Sequence, residues 1–283
     1  MRRMGLIAVF FLGCLTLMGQ QNKQVTKDQL ALFPQSTTYV VWDNNPMSAY
    51  NIAIKAAVES YWKTTPFKYI TVNEFDKYRM NPANSFIIMT KVYLTKDKRE
   101  AEYQYLNLLM GSKAYGINDM PEILTMPLTY TGVDESTYTY KLGVIVRFAQ
   151  EHVKAMLEAS KITQFRNLKF YNSNAKEVKK KTLLLLQEDM AEEVNSIEKI
   201  KAVYPYDCKF VTPEEIEAAV LEQTPNTLVL HQISPGPQDN IGRSYKMIFG
   251  VDDNKLYYYN FETISEKRPA GMLLRDFKRI TAD

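Results

Sequence analysis

Apolar and polar positions along this chain switch between a strand period and a helix period, and they do so twice in the same order. Tyr39-Val40-Val41-Trp42 is a short β-prone run closed by the breakers Asp43-Asn44-Asn45-Pro46. Tyr50, Ala53, Ile54, Ala57, Val58 and Tyr61 then recur at the spacing of one helical face. A second strand is expected from Phe67 to Val72, a short helix from Asn73, a break at Asn81-Pro82-Ala83-Asn84, and a long strand from Ser85 to Thr95. The second copy opens on Thr182-Leu183-Leu184-Leu185-Leu186. It continues with an expected helix whose inward face is Met190, Val194, Ile197, Ile200 and Tyr204.

The two copies meet in one stretch. Tyr69-Ile70-Thr71-Val72-Asn73-Glu74-Phe75 returns as Phe210-Val211-Thr212-Pro213-Glu214-Glu215-Ile216, and each carries the Thr-x-x-Glu pattern of a capping box. The Thr hydroxyl accepts from an orphan amide of the first helical turn while the Glu carboxylate reaches back to the cap amide. Pro213 takes the first helical position, where its missing N–H costs nothing. Thr71 and Thr212, and Glu74 and Glu215, lie 141 residues apart. That offset sets Phe86-Ile87-Ile88-Met89 beside Thr227-Leu228-Val229-Leu230, and Thr90 opposite His231.

Both copies then turn to paired strands. Ala101 to Met110 is a hairpin partner across the turn Asp97-Lys98-Arg99-Glu100, with Glu122 to Tyr130 as a further strand. In the second copy, Tyr245 to Phe249 and Leu256 to Phe261 flank Asp252-Asp253-Asn254. Each copy closes on a helix: Tyr138 to Ser160 with Leu142, Ile145, Val146, Ala149, Val153, Met156 and Leu157 inward, and a shorter one with Leu273, Leu274, Phe277 and Ile280. Hairpins exclude an all-parallel sheet. The expected fold is therefore α/β with α+β character: two tandem copies of a mixed β-sheet domain with packed helices, β-α-β-α-β followed by a hairpin and a closing helix. The expected divisions are a signal peptide at 1–19, an N-terminal linker at 20–33, a first α/β domain at 34–162, a polar linker at 163–181, and a second α/β domain at 182–283. At the level of fold alone, this arrangement resembles small α/β domains of bacterial envelope-assembly proteins.

Arg2 and Arg3 lead an apolar run from Gly5 to Gly19 that holds no acidic residue and ends at Gln20-Gln21-Asn22-Lys23, the pattern of a secretory signal peptide. The run is shorter than the roughly 20 residues of a spanning helix. Phe11-Leu12-Gly13-Cys14 also has the look of a lipobox, which makes a lipid anchor at Cys14 the alternative to cleavage near Gly19. Both place the protein outside a bacterial cytoplasm: periplasmic, outer-membrane-associated or extracellular.

Without Arg2 and Arg3, 33 basic residues face 32 acidic ones, and this balance argues against a nucleic-acid partner. The run Lys176-Glu177-Val178-Lys179-Lys180-Lys181 reads as a solvated face. Cleavage near Gly19 leaves Cys208 alone, so no internal disulfide forms, and its place before Thr212 reads as a small buried apolar residue.

Two histidines offer few bases for nucleophilic catalysis. His152 borders the apolar face of the long helix and reads as structural. His231 ends a strand, where ligands of α/β sheets often bind, and is the one histidine with a functional reading. Asp252-Asp253-Asn254 lacks the spaced ligands and closing Glu of a calcium loop. Pro235-Gly236-Pro237-Gln238-Asp239-Asn240-Ile241-Gly242-Arg243 lacks the amides and Gly-Lys of a phosphate loop, leaving Arg243 as a weak anion contact. No catalytic, cofactor or metal residue is assigned, and no cofactor is expected. The expectation is a non-catalytic binding or scaffolding module of the envelope, its partner a protein or glycan. The alternatives are a secreted hydrolase built on dispersed carboxylates or His231, and a glycan or peptide binder using Tyr-rich strands, with Tyr257, Tyr258 and Tyr259 as edge contacts.

Terminal sequencing of protein exported from its own host tests the leader. A start near Gln20 is expected, an acylated Cys14 marks a lipoprotein, and an intact Met1 refutes export by either route.

Overall fold

The computed structural model of the protein describes residues 23–94, 101–235 and 241–282, so the leader, Cys14, the turn at 97–100 and residues 236–240 of the Pro-Gly loop lie outside the described residues. Two mixed sheets form. In the first, β1 (Lys23–Gln24), β2 (Thr37–Trp42), β3 (Phe67–Thr71), β4 (Asn84–Leu94), β5 (Ala101–Met110) and β6 (Pro121–Tyr130) stand in the order β1-β6-β5-β4-β2-β3. In the second, β7 (Thr182–Leu185), β8 (Cys208–Phe210), β9 (Thr227–Ile233), β10 (Arg243–Gly250) and β11 (Leu256–Thr263) stand in the order β11-β10-β9-β7-β8. Apart from β1, the two orders agree strand for strand. The senses agree too: the first three strands of each copy pair in parallel and the last two add antiparallel.

Both capping boxes form. The Thr71 amide donates to Glu74 Oε2 at 2.9 Å, and the Thr212 amide donates to Glu215 Oε2 at 2.8 Å while the Glu215 amide donates to Thr212 Oγ1. They start helices of unequal length. The first yields a 3-10 turn and α3 (Phe75–Tyr78), the second the full α6 (Pro213–Glu222). The longer helix shifts the register of the strands after it. Thr38 pairs with Phe67 and Ser85, whereas its counterpart Leu183 pairs with Cys208 and Leu228, so beyond the helix the copies run 143 apart. The structural counterpart of His231 is therefore Ile88 and not Thr90. A slip of two residues keeps every side chain on its own face, which is why the apolar pattern hides it.

The copies stack with opposite faces inward. Val40 and Ile87 of the first sheet enter the large apolar cluster between the sheets, but their counterparts Leu185 and Leu230 enter the outer cluster of the second half. Conversely Tyr39 and Phe86 face outward, against Phe75 of α3, while their counterparts Leu184 and Val229 face the shared cluster. Helices fill the space between: α2 (Ala49–Tyr61), α4 (Leu142–Glu158) and α6 all contribute to the shared cluster, and α4 touches both β6 and β10. Leu157, expected inward on α4, is 42% exposed. Arg147 of α4 is buried over the Tyr61 ring and donates to the carbonyls of Val220 and Val251, both at 3.1 Å, tying the first half to the end of α6.

Three segments depart from expectation. Residues expected as an N-terminal linker carry β1 and α1 (Lys27–Leu32), where Thr26 and Gln29 make a capping box and Leu30 and Phe33 are buried. The expected helix around Met190 to Tyr204 is instead a pair of 3-10 turns followed by the short α5 (Ile197–Lys201). Met190, Val194, Ile200 and Tyr204 are buried all the same. Backbone pairing accounts for the break, since Met272 N donates to Asp189 O and Ala191 N to Met272 O, holding this stretch extended. The polar stretch at 163–181 is a run of 3-10 turns laid along β11: the Asn172 amide both donates to Tyr259 O and accepts from Tyr259 N, and Asn174 Nδ2 donates to Leu256 O. The edge of the second sheet is thereby covered.

The closing helix α7 (Leu274–Thr281) is held by a buried ion pair, Lys246 Nζ to Asp276 Oδ2 at 2.6 Å, with both side chains fully buried. Tyr258 Oη, Asn260 Nδ2 and the Leu273 amide also donate to Asp276, so its carboxylate is fully satisfied. Removing one partner of such a pair strands the other charge, at a cost of about 3–5 kcal/mol. Asp276→Ala should lose stability of that order in urea unfolding. Lys255→Ala, which breaks an exposed pair with Glu177, should lose under about 1 kcal/mol.

Candidate binding cleft

A cleft of about 520 Å³ opens between the two halves, where β6 and β9 approach each other. Its walls are the ends of these strands, the loop after β6 that leads into α4, the loop after β7, and the first turn of α6. For the second sheet this is the switch point: the chain leaves β7 toward β8 on one side and leaves β9 toward β10 on the other, so two connecting loops part above adjacent carboxyl ends.

Five polar groups in the cleft carry its chemistry. His231, on β9, is 1% exposed, and neither ring nitrogen makes a hydrogen bond, although the Leu128 carbonyl faces the ring. Burial, and then the Lys141 charge, hold its pKa well below the ordinary value, so the ring is neutral at physiological pH. Lys141 ends the 3-10 turn before α4 and is 2% exposed, its ammonium 4.9 Å over the Tyr140 ring. Burial lowers its pKa, against the opposing pull of Asp189 and Glu188. Asp189 ends the turn after β7, and its Oδ2 is shielded from solvent without a hydrogen-bond partner. Burial raises its pKa to about 6, with Lys141 pulling the other way. The hydroxyls of Tyr138 and Tyr140 are likewise shielded and unpaired.

Local structure positions these groups. The Asp189 backbone is pinned by Met272, and the strand-like pairing needs Gly271, whose φ is +93° and where a Cβ would lie 2.8 Å from Asp189 O. Lys141 and the two tyrosines ride on consecutive 3-10 turns stabilised by Asp134, which accepts from the Ser136 amide.

Of the residues given a functional reading from sequence, His231 is in this cleft, and Pro213 and Glu214 of the second capping box line it as well. His152 is a satisfied core residue: Nδ1 meets Tyr171 Oη at 2.8 Å, Nε2 meets Ile123 O at 3.0 Å, and burial takes its pKa down to about 4. Cys208 is buried and its thiol is pushed up by burial. Asp252 and Asp253 clamp Lys181 in a turn, and Asp252 also accepts from the Asn226 amide. The Arg243 guanidinium lies over the Phe261 ring. Tyr257, Tyr258 and Tyr259 are all buried, so they offer no contact surface, which corrects their reading as edge aromatics. No group of three or more His, Cys, Asp or Glu is placed to hold a metal ion among the described residues. Lys141 and Asp189 gave no signal of their own, since a lysine ahead of an apolar helix and an acid after a strand are ordinary surface positions. No family model, curated protein or solved structure matches the chain.

The raised pKa of Asp189 has a direct thermodynamic consequence. The folded chain holds this proton more tightly than the unfolded one, so its ionisation lowers stability as pH climbs from about 4 to about 6. Asp189→Asn should therefore be more stable than wild type at pH 7.5, by about 1–3 kcal/mol. Near pH 4 the two should unfold at the same denaturant concentration.

Proposed function

We propose that the protein is a non-catalytic binding protein of the bacterial envelope, exported, and that it takes a small polar ligand in the cleft between its two halves. The observation that carries this reading is the set of shielded, unpartnered polar groups from both halves on one cavity: the Tyr140 hydroxyl from the first, Asp189 and His231 from the second. Each such group costs about 1–3 kcal/mol when left unsatisfied. A ligand that completes their hydrogen bonds recovers that cost, and the cavity falls within the usual size range of small-molecule sites, roughly 300–1,000 Å³. Among the described residues no helix is long and apolar enough to cross a membrane. Strand addition at β11 loses support, because residues 168–180 already occupy that edge. A hydrolase is the second reading, favoured by Asp189, partly protonated near pH 6, lining the same cleft as the neutral His231.

Thermal-shift screening against amino acids, small peptides, sugars and organic acids tests the proposal, beside a broad hydrolase panel. At least one class should raise the melting temperature, and His231→Ala and Tyr140→Phe should abolish the rise. Turnover lost in His231→Ala and Asp189→Asn would make it an enzyme instead.

A further inference from the structure

The cleft mixes charges that do not neutralise one another directly. Lys141 is buried, yet among the described residues no ion pair within 4.0 Å joins it to Asp189 or Glu188, and its ammonium lies over the Tyr140 ring. Asp189 Oδ2 is shielded and unpaired on the same cavity, and Glu188, Glu214 and Glu217 stand at its exposed side. From this arrangement we infer that the ligand is a small zwitterion, with its carboxylate set against Lys141 and its ammonium against Asp189, as in a free amino acid or a short peptide.

The inference rests on the cleft being a binding site and proceeds by the charges each ligand class would leave. A neutral polyol could satisfy Tyr140 and His231, but it would exclude water from Lys141 and Asp189 without supplying either with a counter-charge. A simple anion would suit Lys141 and bring its charge among four carboxylates. A simple cation would suit the carboxylates and meet Lys141. A zwitterion gives each of these charges its opposite, and charge-assisted hydrogen bonds are about twice as strong as neutral ones. His231, neutral and unpartnered, and the Tyr140 hydroxyl are then left to bond the ligand's remaining polar atoms. At about 520 Å³ the cleft exceeds what the charged ends alone fill, leaving space for a side chain or a second residue.

Calorimetric titration of the full chain decides the matter, with free L-amino acids and dialanine as probes, each beside its N-acetyl and C-amide derivative, and with maltose and inorganic phosphate as uncharged and anionic controls. A zwitterion should bind, and removing either of its charges should weaken binding at least tenfold. In Lys141→Met the acid and the amide should bind alike; in Asp189→Asn the free and acetylated amines should bind alike. Should Lys141→Met fail to fold, Lys141→Arg, which keeps the charge, should keep the preference for the acid, and the wild-type derivative series still decides the question. Binding of maltose or phosphate that is lost in His231→Ala would refute the zwitterion while leaving the cleft as the site. No binding by any of these probes would refute the zwitterion. If, in addition, a partner binds with the same affinity to His231→Ala and Tyr140→Phe, the cleft reading falls with it.

Discussion

Every part of this structure depends on a stack in which each sheet is buried on both faces. Because the first copy turns one face toward the centre and the second turns the opposite one, the two halves pack head to tail, with α2, α4 and α6 between the sheets. Such a contact is heterologous: equivalent residues do not meet across it. Val40 and Leu185 are the same position in two copies, and one is central while the other is peripheral. Each strand must therefore be apolar on both sides, and the unbroken run Leu183-Leu184-Leu185-Leu186 meets that demand.

The same asymmetry explains why the cleft forms at the second sheet. At the carboxyl ends of the second sheet's parallel strands, the loop from β6 into α4 closes over the switch point and delivers Tyr138, Tyr140 and Lys141. The first sheet has no preceding copy to do this for it. His231 therefore faces a cavity, whereas its counterpart Ile88 packs against Phe75 and Phe86 in an outer apolar cluster.

Charge is handled in two contrasting ways. Lys246 and Asp276 are wholly buried, tightly paired and surrounded by donors, which serves the stability of α7. Lys141, over the Tyr140 ring, and Asp189, with its Oδ2 unpartnered, are held in the cleft without an ion pair, at a cost the fold has to absorb from its core. Groups whose neutralisation would stabilise a protein are commonly those kept for function.

Local rules and short periods were legible in the sequence. The capping boxes at Thr71 and Thr212, the succession of strands and helices in the first copy and the inward residues of α2 and, Leu157 apart, of α4 all follow from hydrogen-bonding geometry over three or four residues and from alternation of apolar positions. The start, expected as a linker, carries the same kind of local signal in the box of Thr26 and Gln29, which the longer periods of the chain outweighed in the reading. Only tertiary structure could decide which face of each sheet turns inward, since both faces are apolar and a pattern apolar on both sides carries no direction. Only long-range backbone pairing with Met272 could break the helix expected after β7 and so place Asp189. The cleft followed from these two decisions: Lys141, Asp189 and His231 are separated by tens of residues along the chain, and what makes them a site is the one cavity they line, a property no single segment possesses.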